Sequence, residues 1–375
     1  MKQSVFPKLF VPGSKPGEAE VEAEISMRAF NRRGQEFLLL PDDAEAAERS
    51  LEVYSPQSWL AKVAIKLLRR CIRLRIPTPV LRRVILRIPK GSLLFSLLKS
   101  SRRNPKLKET LPFALLAGNP KEPSRRFVLL SFDDEHKPRI VMKIGVGRFS
   151  SELIEKERRF MEENGNRFPC FPKISDSLSA DEFAVFTTEY LRINERGFDS
   201  YEELYKCVSG WVHHSEMERN LGELAPLDKL YDLQMGDAAL TRLCEAVRNI
   251  SVVPVVFHGD LVPWNIRADA ESNDWVVIDW ERGEYEGVPA WDWFHFTVQT
   301  SLLVNKDSPE SIMERIRNLF QSEHFREYAE RCQIRSIVKE LFALYIFYCR
   351  TVLMHGRGGA TLDNLYALAL EEALK

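Results

Sequence analysis

The stretch FHGDLVPWNIRADAESNDWVVIDWERG, residues 257–283, places acidic side chains on a tight turn between two apolar runs. The run VVPVVF before the turn and the run WVVID after it are typical of short buried strands. Since an unpaired charge beside buried strands is costly, Asp260 and Asp279 need partners there. The stretch is therefore the first candidate for a functional site.

The spacing within this stretch indicates a particular chemistry. Asp260 and Asn265 are separated by four residues, and Asp279 follows from the end of the next strand. Phosphoryl transfer from ATP needs a carboxylate that accepts the proton of a hydroxyl, and oxygen ligands that hold Mg²⁺ against the phosphates. The turn predicts that Asp260 and Asn265 face the same side. Nearby divalent cations and a lysine would balance the clustered carboxylates.

Length and composition define the class of protein. With 375 residues, of which 45% are hydrophobic and 29% charged, the chain can bury a large core in two or three compact units. No secretion signal is visible, and the longest apolar run, LFALYIFYC at 341–349, is far short of the roughly 18 residues that span a bilayer. The six cysteines form no CxxC pair, which favours free thiols in a reducing, cytoplasmic compartment over disulfides or a zinc site.

The net charge of -1 conceals an uneven distribution. Residues 55–108 contain fifteen Lys or Arg and no Asp or Glu, whereas residues 1–54 and 109–375 are acidic. WLAKVAIKLLRRCIRLRI, residues 59–76, is predicted as a basic amphipathic helix, and VLRRVILRI and SLLFSLLKSSRR as two shorter helical segments. The predicted apolar stripe of the first helix consists of Leu60, Ala64, Leu67, Cys71 and Leu74.

The chain is predicted to have four parts: 1–54 with a strand at QEFLLLP, the basic helical segment 55–109, a small lobe 110–192 and a helical lobe 193–375. PFALLAG, RRFVLLSF and PRIVMKIG predict three antiparallel strands, which a helix and two further strands follow. The last part is predicted to be mainly helical, with helices at 308–322, 334–354 and 358–374.

At this point the sequence resembles a known family. HGDLVPWNI, VVIDWERG and GVPAWDWFHF, in this order, are similar to the motifs of the aminoglycoside phosphotransferase and choline kinase-like family. The resemblance covers residues 113–300 clearly and the remaining helices loosely. It implies an α+β, two-lobed protein kinase-like fold, with a small antiparallel-sheet N-lobe and a mainly helical C-lobe after an N-terminal extension. It also implies ATP and Mg²⁺ as cofactors.

The resemblance assigns roles to individual residues. Asp260 is the catalytic aspartate, and His258 supports the catalytic loop. Asn265 and Asp279 are the Mg²⁺ ligands, and Lys143 in VMKIG matches the third-strand lysine that contacts the ATP phosphates.

The helix after Lys143 should supply a glutamate that pairs with it. Glu157 is the first choice, because Phe160 and Met161 place it beside an apolar, inward face. Glu155 and Glu152 remain alternatives.

Two further segments resemble nucleotide-contacting parts of the family. TTEYL at 187–191 resembles the hinge whose backbone binds adenine, with Glu189, Tyr190 and Leu191 as its residues. The loop LAGNPKEPSRRF, which should cover the phosphates, offers Gly118 where the family pattern has several glycines. Ser124, Arg125 or Arg126 could contact phosphate instead.

Several other side chains are interpreted as structural. Asp292 in PAWDW matches a family aspartate that braces the catalytic loop. The aromatic residues Trp264, Trp280, Trp291, Trp293 and Phe294 fit a core better than a box for a cationic substrate. His213 and His214 are predicted to be solvated in a polar loop.

The sequence leaves more than one function open. One hypothesis is an ATP-dependent kinase that acts on a hydroxyl of an amino sugar, a sugar or an amino alcohol, and the alternative is a catalytically weak, nucleotide-binding adaptor or regulator. For residues 55–108 the partners considered are the acidic kinase body, on which Leu60, Leu67, Cys71 and Leu74 would be buried, and an anionic membrane surface. The apolar faces of these helices argue against nucleic acid.

Overall fold

The computed structural model describes residues 21–32, 35–54, 59–100, 112–118, 126–180, 182–193, 201–230, 238–269, 272, 274–353 and 359–375. The chain divides into two compact units. The first contains the described residues up to Glu162 and Pro172–Arg192, and the second contains Glu163–Phe171 and the described residues from Ile193 on. The predicted helix start at Ser55, and the loop residues Ser124 and Arg125, lie outside the described residues.

The first unit is built on one eight-stranded sheet in the order β3-β1-β2-β4-β5-β6-β8-β7, and every neighbouring pair is antiparallel. The strands are β1 (Val21–Arg32), β2 (Gln35–Pro41), β3 (Leu81–Pro89), β4 (Phe113–Ala117), β5 (Arg126–Phe132), β6 (Pro138–Val146), β7 (Ile174–Ala180) and β8 (Phe183–Glu189). The predicted α+β class with its antiparallel sheet is confirmed, and so is the strand predicted at QEFLLLP.

The segment VLRRVILRI is a strand, so the helix predicted there is wrong. Along β3, Leu86 and Ile88 are buried, while Ile85 and Arg87 are exposed. This alternation of period two suits a strand that covers one face of a sheet, and pairing with β1 provides its partner. The described residues before 110 thus extend the sheet of the small lobe. The boundaries predicted at 54 and 109 do not separate structural units.

Helices cover both faces of this sheet. The helices of the first unit are α1 (Ala44–Ser50), α2 (Trp59–Arg73), α3 (Leu93–Ser100) and α4 (Arg148–Asn164). Leu94 and Leu97 of α3 pack with Leu39 and Leu115 on one face. On the opposite face, Ile72 of α2 joins a second cluster of buried side chains. Successive side chains of β2 thus belong to two different hydrophobic clusters, Leu39 to the first and Leu38 and Leu40 to the second.

The stripe predicted to pack from α2 lies mostly in solvent. Leu60, Leu67 and Leu74 are 71%, 60% and 59% exposed, so the alternative in which these leucines are buried is wrong. Two arginines of α2 contact acidic residues of the chain before the helix, since Arg69 lies 3.8 Å from Glu52 and Arg73 pairs with Glu48.

The second unit is mainly helical. Its helices are α5 (Tyr201–Ser209), α6 (Leu227–Leu230), α7 (Ala238–Val247), α8 (Trp291–Gln299), α9 (Pro309–Gln321), α10 (Glu323–Arg331), α11 (Val338–Tyr348) and α12 (Gly359–Ala373). The remaining strands are short: β9 (Arg192–Ile193), β10 (Arg219–Asn220), β11 (Ser251–Val252), β12 (Val255–Phe257), β13 (Ile266–Ala268), β14 (Trp275–Val277) and β15 (Glu284–Gly287). The three helices predicted for the end of the chain are confirmed as α9, α11 and α12.

The core of the second unit is rich in aromatic residues. Trp280, Trp291, Trp293 and Phe294 are fully buried, so their interpretation as core residues is correct. Among the described helices, none combines the length and the apolar composition that a bilayer span requires.

Candidate active site

Backbone hydrogen bonds fix the position of Asp279 beside the HGD loop. The antiparallel pair β13–β14 brings Ile266 opposite Val277. Directly after this pair, the Ile278 N–H donates to the carbonyl oxygen of Asn265 (2.9 Å). The Ile278 carbonyl oxygen accepts a hydrogen bond from His258 Nε2 (3.0 Å). Both polar groups of Ile278 are therefore tied to the loop that carries the candidate catalytic residues, and Asp279 is the next residue.

Asp260 and Asn265 are brought together. The Asn265 side-chain amide, Nδ2, donates to the Asp260 carbonyl oxygen (2.9 Å) and lies 3.3 Å from Asp260 Oδ2. The Asp260 side chain is 38% exposed, in contrast to the buried residues around it. One oxygen of the carboxylate is thus steadied while the group remains accessible from solvent.

His295, which sequence analysis did not single out, contacts the other oxygen of this carboxylate. Its Nε2 lies 3.1 Å from Asp260 Oδ1, and the Tyr345 hydroxyl lies 3.1 Å from its Nδ1. Because a carboxylate only accepts, Nε2 carries a hydrogen and donates it to Asp260 Oδ1. Burial raises the pKa of Tyr345 well above its usual value, so the phenol keeps its proton.

A signal for His295 was present in the sequence. It lies three residues after Asp292, and residues at this spacing share one face of a helix. Since Asp292 was already interpreted as a brace of the HGD loop, His295 could have been expected near the same loop. The contribution of Tyr345 had no such signal.

Asp292 holds the backbone of the loop. Its Oδ2 accepts from the His258 N–H (2.8 Å), and its Oδ1 accepts from the Gly259 N–H (3.0 Å). Burial raises the pKa of Asp292 to about 7, although these two N–H groups act in the opposite direction. The contacts are those of a structural brace.

Gly259 cannot be replaced without strain. Its φ of +78° lies in the left-handed region, and a Cβ added to it would lie 2.9 Å from the Cβ of Arg282. A glycine between His258 and Asp260 is therefore a requirement of the turn.

The protonation states in the loop follow from burial and neighbouring charge. Burial lowers the pKa of His258 to about 4, although the Asp260 charge acts to raise it, so the ring is neutral at pH 7. His258 Nδ1 then accepts from the Asp260 N–H (3.1 Å). For Asp260, burial acts to raise the pKa, but the hydrogen bond from His295 and the charge of Arg282 keep it below the usual value. Asp260 is therefore an ionised carboxylate at neutral pH.

The low pKa of His258 predicts a pH-dependent stability. A base whose pKa falls from 6.5 unfolded to about 4 folded stabilises the fold fully above pH 6.5, and this stabilisation is lost as the pH falls towards 4. His258 by itself should lower the free energy of unfolding by about 3 kcal/mol over this window. In His258→Gln, whose amide can still donate to Ile278, this component should be missing. Urea unfolding of both proteins at several pH values measures it.

The comparison isolates His258 because Asp292 acts in the opposite direction in both proteins. Its pKa is raised, so its contribution is present at low pH and is lost as the pH rises through about 7. Parallel pH profiles for the parent and His258→Gln would contradict the assignment of a neutral, buried His258.

The first unit joins Lys143 and Glu157. Lys143 lies on β6, and its Nζ is 2.6 Å from Oε1 of Glu157 on α4, which is buried. The two alternatives have other partners: Glu152 contacts Arg148, and Glu155 contacts Arg158 and Arg159. Of the three glutamates considered, Glu157 is the one that contacts Lys143.

The hairpin that contains Gly118 explains why this position is a glycine. Its N–H donates to the Arg126 carbonyl oxygen (2.7 Å), and a Cβ on Gly118 would lie 2.6 Å from that oxygen. The glycine thus allows the close approach of the two chain segments, whatever it contributes to a nucleotide.

The predicted hinge residues are the last residue of strand β8, Glu189, and the two residues directly after it. Glu189 is exposed and Leu191 half-buried, while the Tyr190 N–H donates to the Arg139 carbonyl oxygen (2.9 Å). The Tyr190 hydroxyl also bonds Glu52. The Tyr190 N–H is therefore already engaged within the first unit.

The donor set at Asn265 and Asp279 suits a hard cation. Because the Asn265 amide nitrogen is directed to Asp260, its carbonyl oxygen is the atom that can serve a metal. Asp279 adopts φ +70°, which aspartate tolerates better than most residues. Within the described ranges no cluster of three or more His, Cys, Asp or Glu side chains could hold a metal ion. Mg²⁺ does not need one, since it commonly takes one or two protein ligands together with phosphate and water.

The chain matches no family model and no curated protein. The solved structures that it resembles include aminoglycoside phosphotransferases.

One of these is the aminoglycoside phosphotransferase APH(3'')-Id from Streptomyces rimosus, with 15% identity, 58% of this chain and 87% of that chain covered, and a TM-score of 0.37. Another is a thermostable mutant of APH(4)-Ia, with 13% identity, 69% and 94% covered, and a TM-score of 0.43. A third, a protein from Ralstonia eutropha, has 13% identity, 75% and 93% covered, and a TM-score of 0.40.

His213 differs from its prediction, whereas its neighbour does not. His213 is buried, and its Nε2 lies 2.7 Å from the Tyr285 carbonyl oxygen. Burial lowers the pKa of His213. The prediction of a solvated loop is wrong for His213 and correct for the exposed His214.

Proposed function

We propose that this protein is an ATP-dependent phosphotransferase that transfers the γ-phosphate to a hydroxyl of a small molecule, of the amino sugar, sugar or amino alcohol type. The observation that carries the proposal is the environment of Asp260. Its carboxylate is ionised and accessible, and both of its oxygens are oriented, by Asn265 and by His295. A carboxylate with a purely structural role would direct its oxygens to the backbone, as Asp292 does.

In this reaction the chain itself takes part in one proton transfer. The acceptor hydroxyl donates a hydrogen bond to the Asp260 carboxylate, and its oxygen attacks the γ-phosphorus. The bond between that phosphorus and the bridging oxygen of ADP breaks, and the hydroxyl proton passes to Asp260. His295 keeps the carboxylate in one orientation, so little conformational freedom is lost when the acceptor binds.

The remaining candidates hold the nucleotide. We assign Asn265 and Asp279 as protein ligands of Mg²⁺, which when bound would neutralise charge on the phosphates. We assign Lys143 to the phosphates as well, with Glu157 fixing the direction of its ammonium group.

Asp279→Asn is expected to weaken Mg²⁺-dependent ATP binding by at least about tenfold, because an anionic metal ligand becomes neutral. Titration calorimetry with ATP and Mg²⁺, and again with ATP and EDTA, measures the metal-dependent part. Asp274→Asn, which changes an exposed aspartate just before β14, is the matched control and should bind as the parent does. If ATP with Mg²⁺ does not bind the parent at all, the proposed function is wrong.

Charge is the property of this chain that bears on the acceptor. The acidic main body suits a cationic acceptor, and Glu281, Glu284 and Glu286 follow Asp279 in the sequence. Two of them are already engaged, since Glu286 pairs with Arg219 (2.9 Å) and Glu284 lies 3.9 Å from Lys229. ATP consumption should be screened against amino sugars, cholines and neutral sugars. Activity on neutral sugars alone would exclude a cationic acceptor.

The adaptor hypothesis remains the second candidate for the same chain. It predicts that Mg²⁺ and ATP bind but that no acceptor in the screen is phosphorylated. For either function we propose the cytoplasm as the location, where ATP and Mg²⁺ are available and thiols stay reduced.

A further inference from the structure

Helix α2 presents apolar side chains in two directions. Ile65, Leu68 and Ile72 pack against the sheet, in the cluster that contains Leu38 and Leu40. The other apolar side faces solvent. Its members, here called the exposed stripe, are Leu60, Val63, Leu67 and Leu74, with exposures of 71%, 36%, 60% and 59%. Burial of one side on the protein therefore leaves a second apolar side uncovered.

The exposed stripe is continuous along the helix. Its members follow each other at steps of three, four and seven residues, which places them on one line of a helix surface. Apolar exposure continues in the chain after the helix, where Ile76 and Val80 are 49% and 52% exposed. Single exposed leucines are ordinary, but a continuous apolar surface of this kind marks an interaction site.

Positive charge borders the exposed stripe. Lys66 and Arg70 lie three residues after Val63 and Leu67, so they flank the stripe along one side of the helix. Both cations are exposed, and neither forms an ion pair with a residue that the structure describes. Residues 55–108 contain no Asp or Glu. An anionic surface that approaches the stripe therefore meets no negative charge from this segment.

We propose that the exposed stripe docks on an anionic membrane surface, with the leucines among the upper acyl chains and Lys66 and Arg70 at the lipid headgroups. Helices that lie in a membrane interface combine an apolar face with Lys and Arg beside it, and they need no spanning length. Each Lys or Arg near an anionic bilayer strengthens binding about fivefold. Long basic side chains can reach the headgroups while their stems remain on the apolar surface.

A membrane fits these side chains better than nucleic acid does. Phosphate-backbone binding uses cations, hydrogen-bond donors and stacking aromatic rings, and it gains nothing from a row of exposed leucines. A lipid interface takes both the leucines and the cations. The proposal is independent of the phosphotransfer chemistry, because none of its residues belongs to the candidate active site.

Vesicle flotation of the full chain tests the proposal. We expect the parent to float with phosphatidylcholine vesicles that contain phosphatidylserine at low salt, and less at high salt or with phosphatidylcholine alone. The variant Lys66→Glu, Arg70→Glu should bind at least about 25-fold more weakly. The variant Leu60→Ser, Leu67→Ser, Leu74→Ser should bind at least about 100-fold more weakly. Because all five side chains are exposed, thermal unfolding should show both variants folded.

Two matched controls separate this surface from general effects. Leu178→Ser changes an apolar residue that is 49% exposed on β7, and Arg326→Glu with Lys339→Glu changes two exposed cations of the second unit. Both controls should float as the parent does. The proposal is overturned if the parent stays unbound at low salt, or if the triple leucine variant floats like the parent. It is also overturned if the leucines mediate a dimer in solution, or the cations a DNA complex, without vesicle binding.

Discussion

Asp260→Asn is expected to lower ATP-dependent phosphorylation of the acceptor by about 10²–10⁴-fold, while the affinity for Mg²⁺ and ATP changes little. The asparagine amide keeps the size of the side chain but cannot accept the hydroxyl proton. His295 Nε2 can still donate to the amide oxygen, so the loop should keep its conformation. Steady-state turnover with an acceptor from the screen, and calorimetry with the nucleotide, measure the two quantities separately.

Asp274→Asn serves as the control here too, because it removes an exposed carboxylate just before β14 without touching Asp260. It should turn over at the parent rate. Parent-like turnover of Asp260→Asn would refute the assignment of Asp260 as the proton acceptor. Loss of nucleotide binding in that variant would show that Asp260 holds the nucleotide instead.

Asp292→Ala is expected to lower the free energy of unfolding by about 2–6 kcal/mol. The change leaves the N–H groups of His258 and Gly259 buried without an acceptor, and each such group costs about 1–3 kcal/mol. Turnover should fall as well, because the backbone next to Asp260 loses its brace. Urea unfolding and turnover at a temperature where the variant stays folded measure the two effects.

Asp292→Asn provides a second variant in case the alanine protein does not fold. Its amide oxygen can accept from one of the two N–H groups, while its NH₂ group faces the other donor. We therefore expect an intermediate stability. If both variants unfold at the parent urea concentration and retain full turnover, Asp292 does not brace the loop.

The short-range part of the candidate site could be predicted from the sequence. Asp260 and Asn265 lie within one turn, and the strand pair that follows it returns the chain to Asp279. A contiguous stretch of this length can adopt few alternative conformations. The spacing alone therefore indicated which side chains would meet. The helix after Lys143 similarly allowed three glutamates, and its inward face favoured Glu157.

The longer-range contacts of the site depend on packing. His295 of α8 contacts Asp260, and its spacing from Asp292 gave a signal for that position, whereas Tyr345 of α11 contacts His295 and had no such signal. A helix that is buried all round has no polar face that fixes its rotation in advance. Only the packing of the second unit determines which of its side chains approach the loop.

The sequence by itself determined the α+β class, the proximity of Asp260 and Asn265, the strand at QEFLLLP and the helices at the end of the chain, because these follow from local periodicity and motif spacing. The tertiary structure decided two features of residues 59–89. VLRRVILRI became a strand because β1 offers it a pairing edge, which no local pattern reveals. The apolar arc of α2 is wider than the sheet surface that it contacts, so packing on Ile65, Leu68 and Ile72 left Leu60, Leu67 and Leu74 in solvent.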